Sequence, residues 1–433
     1  DAVNADPGNL KRKIAQLISF HPNIEEWKER YHRNIWLLQQ MSKNSIRKLL
    51  LIDKKFNSVL QIGGLINLFE GNQLNNKTIY CSYHDSNLAA RLNQRPDVQY
   101  DQTKKYYKKG LEYEKHLYNH LDLIFTMSNW IRDSFIEDFA CEPKKIFTVG
   151  AGANIVTKSS TVENDYSNNE ILFVGLDFER KGGEALLKAF EIVKREIPDA
   201  KLRVIGPDSA ELHSKKDVIA MGRIMKHSKE GLEKLQEAYM NASIFVMPTL
   251  WEPFGIVFLE AMANKLPCIG VNKYAMPEII ENGKTGFVIP PNNIERLAYS
   301  IIDLLKDKKK CKEFGIAGYQ RYLSNYTWEV VCKKIEEIIK LGAAVEIMHS
   351  LLLIQDDIID RSPMRRGGKA MHILLGDKYR PQTRNEYIGT DIASIVADIM
   401  FSCSLEIIAN AKIRNSIRTE FLKIFSQTYE KTA

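Results

Sequence analysis

The chain lacks the residue groupings that announce several kinds of chemistry. Its six cysteines (Cys81, Cys141, Cys268, Cys311, Cys332, Cys403) include no CxxC pair and no Cys/His cluster. That scatter argues against a disulfide framework or a zinc centre and for reduced, packed thiols. The sequence opens at Asp1 without Met and without a basic-then-apolar leader, so export is not expected. No apolar run is expected to reach bilayer-spanning length. The charge bias is also small: 61 Lys and Arg against 54 Asp and Glu leave a formal +7. Lys104, Lys105, Lys108 and Lys109 therefore read as a solvated helix face rather than a nucleic-acid patch. A cytoplasmic protein is expected, and the mild basic balance is compatible with peripheral contact to anionic lipid.

What is present is ordinary for a globular protein, with 44% hydrophobic and 27% charged residues over 433 positions. That length exceeds a single core and calls for two or three domains. From residue 1 to about 167, helical patterns alternate with short apolar strands at 58–62, 78–82 and 121–126. Alternation of this kind builds parallel sheet. A stretch at 157–169 rich in Ser, Thr and Asn has linker composition, and the alternation restarts with strands at 170–174, 202–205, 243–247 and 267–271. Beyond residue 340 the pattern turns to helix at 342–354 and 392–413, with no strand expected between. The reading is thus an α/β chain with domains 1–167 and 168–340, followed by an all-α tail at 341–433.

Two segments stand out as ligand sites. Glu252 and Glu260, with seven residues between them, flank the turn Pro253-Phe254-Gly255-Ile256 directly after an apolar strand. Such a turn exposes backbone N–H groups at a helix start, where an anion or sugar hydroxyl is held, at the carboxyl ends of parallel strands. Taken alone, the pair could equally be a loop charge and a first-turn glutamate. The second segment, Gly175 to Gly183, follows a strand, opens a helix and carries Arg180, Lys181 and Gly182, a composition that suits a diphosphate.

These strings, with Met276-Pro277-Glu278 and Gly283 to Gly286 following in order, resemble the retaining glycosyltransferases of the GT-B fold, which have two Rossmann-like domains. The resemblance spans about residues 1–340. It implies a nucleoside-diphosphate sugar as donor and retention of anomeric configuration. Lys181 and Arg180 would neutralise the diphosphate leaving group in place of a metal, so no cofactor is implied for sugar transfer. Glu252 would hold hydroxyls of the donor sugar and Glu260 the ribose, with Gly175, Gly182, Phe254, Gly255 and Ile256 shaping the donor site. Many such enzymes carry Arg directly after the strand glycine, where this chain has Leu176. His84, at a strand end, resembles the histidine that reaches the donor sugar from the first domain; a satisfied loop histidine is the other reading. Gly63 and Gly64 would allow close backbone approach, and the Gly150 to Asn154 segment resembles an inter-domain hinge. The first strand and glycine loop typical of the fold are not found in residues 1–48, so the N-terminal domain reads as truncated. Trp27, Tyr31, His32 and Arg33 on an amphipathic helix either pack or line an acceptor site. The acceptor is left open among lipid, glycan and small molecule.

The tail carries a different signature. Asp356, Asp357 and Asp360, followed by Arg365, Arg366 and Gly367, resemble the first aspartate-rich motif of trans-polyprenyl diphosphate synthases. The resemblance implies that the aspartates hold Mg bridging an allylic diphosphate and that Arg365 and Arg366 grip the diphosphate of the second substrate. It covers only residues 341–433, without the second aspartate motif, so the segment is not expected to condense prenyl units alone. Its apolar faces would need a cover, such as a second copy of the chain. Three functions stand at this point: a glycosyltransferase, a geranylgeranyl-type polyprenyl diphosphate synthase completed by helices from elsewhere, and a non-catalytic chimera or scaffold.

Overall fold

The computed structural model describes residues 2–52, 56–63, 65–69, 78–95, 100–155, 166–226, 228–365, 367–411, 418–419, 422–423 and 426–427. Gly64, Arg366 and most of the 157–169 linker lie outside the described residues. The chain divides into two compact units, Asp1–Val331 and Cys332–Ala433.

The first unit holds two lobes, each built on a parallel sheet. In the N-terminal lobe three helices, Asn9–Ile18, Ile24–His32 and Ile35–Leu50, precede the first strand. Strands β1 (Ser58–Ile62), β2 (Ile79–His84), β3 (Leu123–Thr126) and β4 (Ile146–Thr148) lie in sequential order and pair in parallel throughout. Strand β2 is buried almost end to end, as expected for a parallel strand covered on both faces. The core beneath it gathers Leu117, Tyr118, Ile124, Ile131, Phe135 and Phe139.

The C-terminal lobe contains β5 (Glu170–Val174), β6 (Lys201–Ile205), β7 (Val218–Ala220), β8 (Ile244–Val246), β9 (Cys268–Val271) and β10 (Gly286–Ile289). Their spatial order is β10-β9-β8-β5-β6-β7, again all parallel. The sheet order reverses at β5, so the crevice outside the carboxyl ends of β5 and β8 is a topological switch point, where ligands collect in open α/β sheets. Strands β4, β7 and β10 were not anticipated as elements; β4 and β7 have only three residues each, too few to display a period.

The lobes of this unit are joined by specific contacts. Backbone N–H groups of Asn129 and Trp130, opening the helix Asn129–Glu137, donate to the Glu278 carboxylate at 2.7 and 2.8 Å. A carboxylate at that end is favoured by both the unpaired amides and the helix dipole. Trp130 meets Trp251 and Tyr274 edge to face, with centroids 5.8 and 5.4 Å away. Downstream, the ring of Trp328 covers Gly152 so closely that a Cβ there would sit 2.4 Å from it.

The second unit is mostly helical. Helices Trp328–Ile359 and Ile388–Asn410 contribute Ala344, Met348, Leu351 and Ala393, Ala397, Ile408 to one small core. A short antiparallel ladder, Met364–Arg365 with Gly368–Lys369, interrupts the tail, closed at Gly367 with φ 81°, where no strand was expected. Helix Ile388–Asn410 is also long and apolar enough to cross a membrane by length and composition, contrary to the expectation that no run reaches that size.

All six cysteines are free: four are buried, while Cys332 and Cys403 are exposed rather than packed. Burial pushes the Cys81 and Cys311 thiols up to about 12.

Candidate donor-binding site

The site forms where the loops after β5 and β8, neighbours in the sheet, run side by side. The Arg180 carbonyl accepts from the Thr249 hydroxyl at 3.1 Å and the Leu250 N–H at 2.9 Å, which stitches the two loops together. Gly182 adopts φ 78°, and a Cβ there would lie 2.0 Å from the Pro248 carbonyl oxygen, so only glycine permits this approach. On the other side, a Cβ on Gly206 would meet the Gly175 carbonyl at 2.1 Å, which brings the ends of β5 and β6 together.

This stitching places the Lys181 ammonium in ion-pair contact with the Glu252 carboxylate, both side chains mostly buried. Burial, then the neighbouring Arg180, draws Lys181 down to about 7, while Asp177 opposes the shift. Arg180 is itself engaged: its Nε donates to Asp177 Oδ2 at 2.8 Å and its Nη1 to the Trp251 carbonyl at 2.7 Å. It fixes the loop before Glu252. Amides of Lys181, Gly182 and Gly183 turn back onto the carbonyls of Asp177, Glu179 and Phe178 at 2.9, 2.9 and 2.8 Å. The glycine loop thus presents the Lys181 ammonium, while these three amides are paired within the loop.

Gly255, left-handed at φ 86°, caps the helix Ile256–Ala263, and Phe254 is buried beneath it. Glu260 is fully buried on that helix. Lys226 Nζ approaches its two oxygens at 2.9 and 3.3 Å, and the Tyr239 hydroxyl donates to Oε2 at 3.0 Å. The carboxylate is thus already satisfied, and Lys226 stands on its solvent side. Neither Lys226 nor Gly206 carries a sequence signal of the kind that singled out the other site residues.

His84 is a correction. It was expected to face the cleft if it matched the sugar-contacting histidine, but its ring lies in the N-terminal core between Tyr118 and Phe135, with centroids 5.4 and 5.0 Å away. Burial holds it down to about 3. Its neighbour Asp85, not singled out in the sequence, is the residue exposed at the carboxyl end of β2, and desolvation raises its carboxyl above the ordinary range. His32 and Arg33 border a cavity of about 360 Å³ with Glu29, Leu65 and Arg91, whereas the Trp27 indole donates to the Gln16 carbonyl at 2.9 Å.

In the second unit Arg365 binds two of the three aspartates expected to hold Mg, reaching Asp356 Oδ2 at 2.7 Å and Asp357 Oδ1 at 2.5 Å. Among the described residues there is no group of three or more His, Cys, Asp or Glu side chains placed to hold a metal. In this arrangement the counter-charge to Asp356 and Asp357 is the Arg365 guanidinium, which is also the group expected to grip diphosphate.

Two Rossmann-like lobes facing a crevice across the ends of parallel strands define the GT-B class. Residues 157–321 match the family profile "Glycosyl transferases group 1", and residues 319–433 match "Polyprenyl synthetase". The chain is thus similar to group 1 glycosyl transferases over residues 157–321 and to polyprenyl synthetases over residues 319–433. Among curated relatives, alpha-maltose-1-phosphate synthase of Mycolicibacterium smegmatis is 25% identical over 252 residues, covering 52% of this chain and 64% of that protein. The chain thus spans less than two thirds of that relative's length. Among solved structures, sucrose-phosphate synthase from Thermosynechococcus elongatus aligns with a TM-score of 0.56 at 19% identity, covering 71% of this chain and 79% of that one. HepE of Anabaena, solved with UDP and glucose, aligns at 0.54 and 15% identity, covering 78% and 97%. At such identities the structural likeness concerns the fold.

Proposed function

We propose that the two-lobed unit transfers a sugar from a nucleoside-diphosphate sugar to an acceptor, with retention of configuration. The observation that carries this reading is the contact between Lys181 and Glu252 at the switch point of the C-terminal sheet. A lysine and a carboxylate held together there form an exchangeable pair. An incoming diphosphate takes the Lys181 ammonium as its counter-charge, and Glu252, relieved of that partner, turns to accept hydrogen bonds from sugar hydroxyls. As the bond from sugar to phosphate breaks, negative charge grows on the diphosphate, and Lys181 stabilises it most when that charge is greatest.

Arg180 is a positioning residue here, because its guanidinium is spent on Asp177 and on the carbonyl preceding Glu252. The relative solved with UDP and glucose supports a uridine diphosphate sugar as the first donor to try. Incubation of the full chain with UDP-, GDP- and ADP-sugars and a panel of lipid, glycan and small-alcohol acceptors, followed by phosphorus and proton NMR, tests the proposal. Release of one nucleoside diphosphate with an α-configured product from an α-configured donor is expected. Inverted product would reject retention, and an inert panel would reject sugar transfer.

A further inference from the structure

The first helix of the chain, Asn9–Ile18, carries its apolar residues on the wrong side for a core. At about 100° per residue, Leu10, Ile14, Leu17 and Ile18 fall on one face, and Ala15 points another way. It is Ala15 that is buried; Leu10, Leu17 and Ile18 remain 72%, 76% and 64% exposed. Just past the helix, Phe20 and Ile24 are also exposed, and Phe20 rests edge-on against Trp27 at 6.2 Å. Exposed leucine and isoleucine side chains gathered on one helix face call for a partner.

The flanking charges identify that partner's chemistry. Lys11 and Lys13 border the apolar stripe on its two sides, Arg12 lies behind it, and the first turn of the helix has no acidic residue. Arg12 is partly neutralised by Asp6 at 3.2 Å, which leaves the two lysines as the charges beside the stripe. A helix with leucine and isoleucine on one face and lysines at its margins matches the boundary between acyl chains and anionic headgroups.

We propose that the face formed by Leu10, Ile14, Leu17, Ile18 and Phe20 docks the protein on an anionic lipid surface. The stripe enters the acyl boundary while Lys11 and Lys13 meet headgroup phosphates. This surface does not depend on which reaction the protein performs.

Co-sedimentation of the full chain with vesicles tests the proposal, using phosphatidylcholine alone and phosphatidylcholine mixed with phosphatidylglycerol. Binding to the mixed vesicles is expected, with at least about tenfold weaker partitioning for the double variant L17E/I18E and for K11E/K13E. If L17E/I18E melts at a lower temperature than the parent, K11E/K13E carries the test. Absence of binding to the mixed vesicles, or equal binding by the parent and both variants, overturns the proposal. So does light scattering that shows a dimer dissociated by L17E/I18E without vesicle binding, which would assign the face to a second copy of the chain.

Discussion

Lys181 contacts Glu252 although the two residues belong to separate strand-loop-helix units. Burial, with Arg180 adding to it, draws the lysine down to about 7, so its charge is sensitive to pH near neutrality. A diphosphate binds the protonated ammonium. Affinity for nucleoside diphosphate is therefore expected to fall as pH rises through about 7, by roughly thirtyfold between about pH 6 and about pH 8.5. The Lys181→Arg variant, whose guanidinium stays charged, should lose that dependence. Calorimetric titrations at both pH values check this; an equal pH profile in both proteins would contradict it.

The Glu278 carboxylate closes the two lobes by receiving the first amides of the helix Asn129–Glu137. Its own backbone is fixed, since the Arg321 guanidinium and Tyr326 hydroxyl donate to its carbonyl at 2.7 and 2.9 Å. Glu278→Ala is expected to destabilise the two-lobed unit by about 2 kcal/mol, the scale of losing charge-assisted hydrogen bonds at a helix start. Urea denaturation measures the loss, and small-angle scattering should record a larger radius of gyration. Unchanged values in both would show that the clasp is idle.

His84 makes the stability of the N-terminal lobe depend on acid. Its folded value of about 3 lies below the ordinary 6.5, so between these limits the unfolded chain binds a proton that the folded chain refuses. Stability from this source is complete above about pH 6.5 and declines as pH falls toward 3, by up to about 1.4 kcal/mol per pH unit. His84→Phe fits the aromatic surroundings and should flatten that part of the profile. Denaturation midpoints at about pH 5 and about pH 7 decide the matter; an unaltered slope in the variant would place the titrating group elsewhere.

Arg365 occupies Asp356 and Asp357 together, and Asp357 is buried. Arg365→Ala removes the counter-charge from a buried carboxylate, so the helical unit is expected to melt at a lower temperature. Magnesium should leave the melting temperature of the parent unchanged. A rise with magnesium in the parent would show that the cation displaces Arg365 and restore the metal reading.

How much of this was legible in the residues differs from element to element. Strand β5 is a fully buried apolar run followed by a glycine loop, and its position was read correctly because burial on both faces writes a continuous signal. The neighbourhood of Lys181 and Glu252 was reached through motif resemblance, since the pairing of β5 with β8 is a matter of sheet order that no local pattern encodes. His84 was misplaced for a related reason. On a strand covered on both faces, polarity does not reveal which side chain turns to the cleft. Tyr83 turns one way to donate to the Gly150 carbonyl at 2.7 Å, and His84 turns the other way into the aromatic core. In the tail, the spacing of the aspartates was legible, but the return of Arg365 onto Asp356 and Asp357 was not; it follows the reversal at the helix end, where Arg361 takes φ 55° and the Ser362 N–H donates to the Asp357 carbonyl at 2.9 Å.

The central claim is that Lys181 exchanges Glu252 for the diphosphate of a nucleotide donor. The most direct measurement is the dissociation constant of UDP, GDP and ADP for the parent chain and for Lys181→Ala, determined calorimetrically with melting curves as a folding control. The account predicts that one nucleotide binds the parent and binds the folded variant at least about tenfold more weakly, the scale of losing one charge-assisted contact. Equal affinity in a folded Lys181→Ala protein would contradict it.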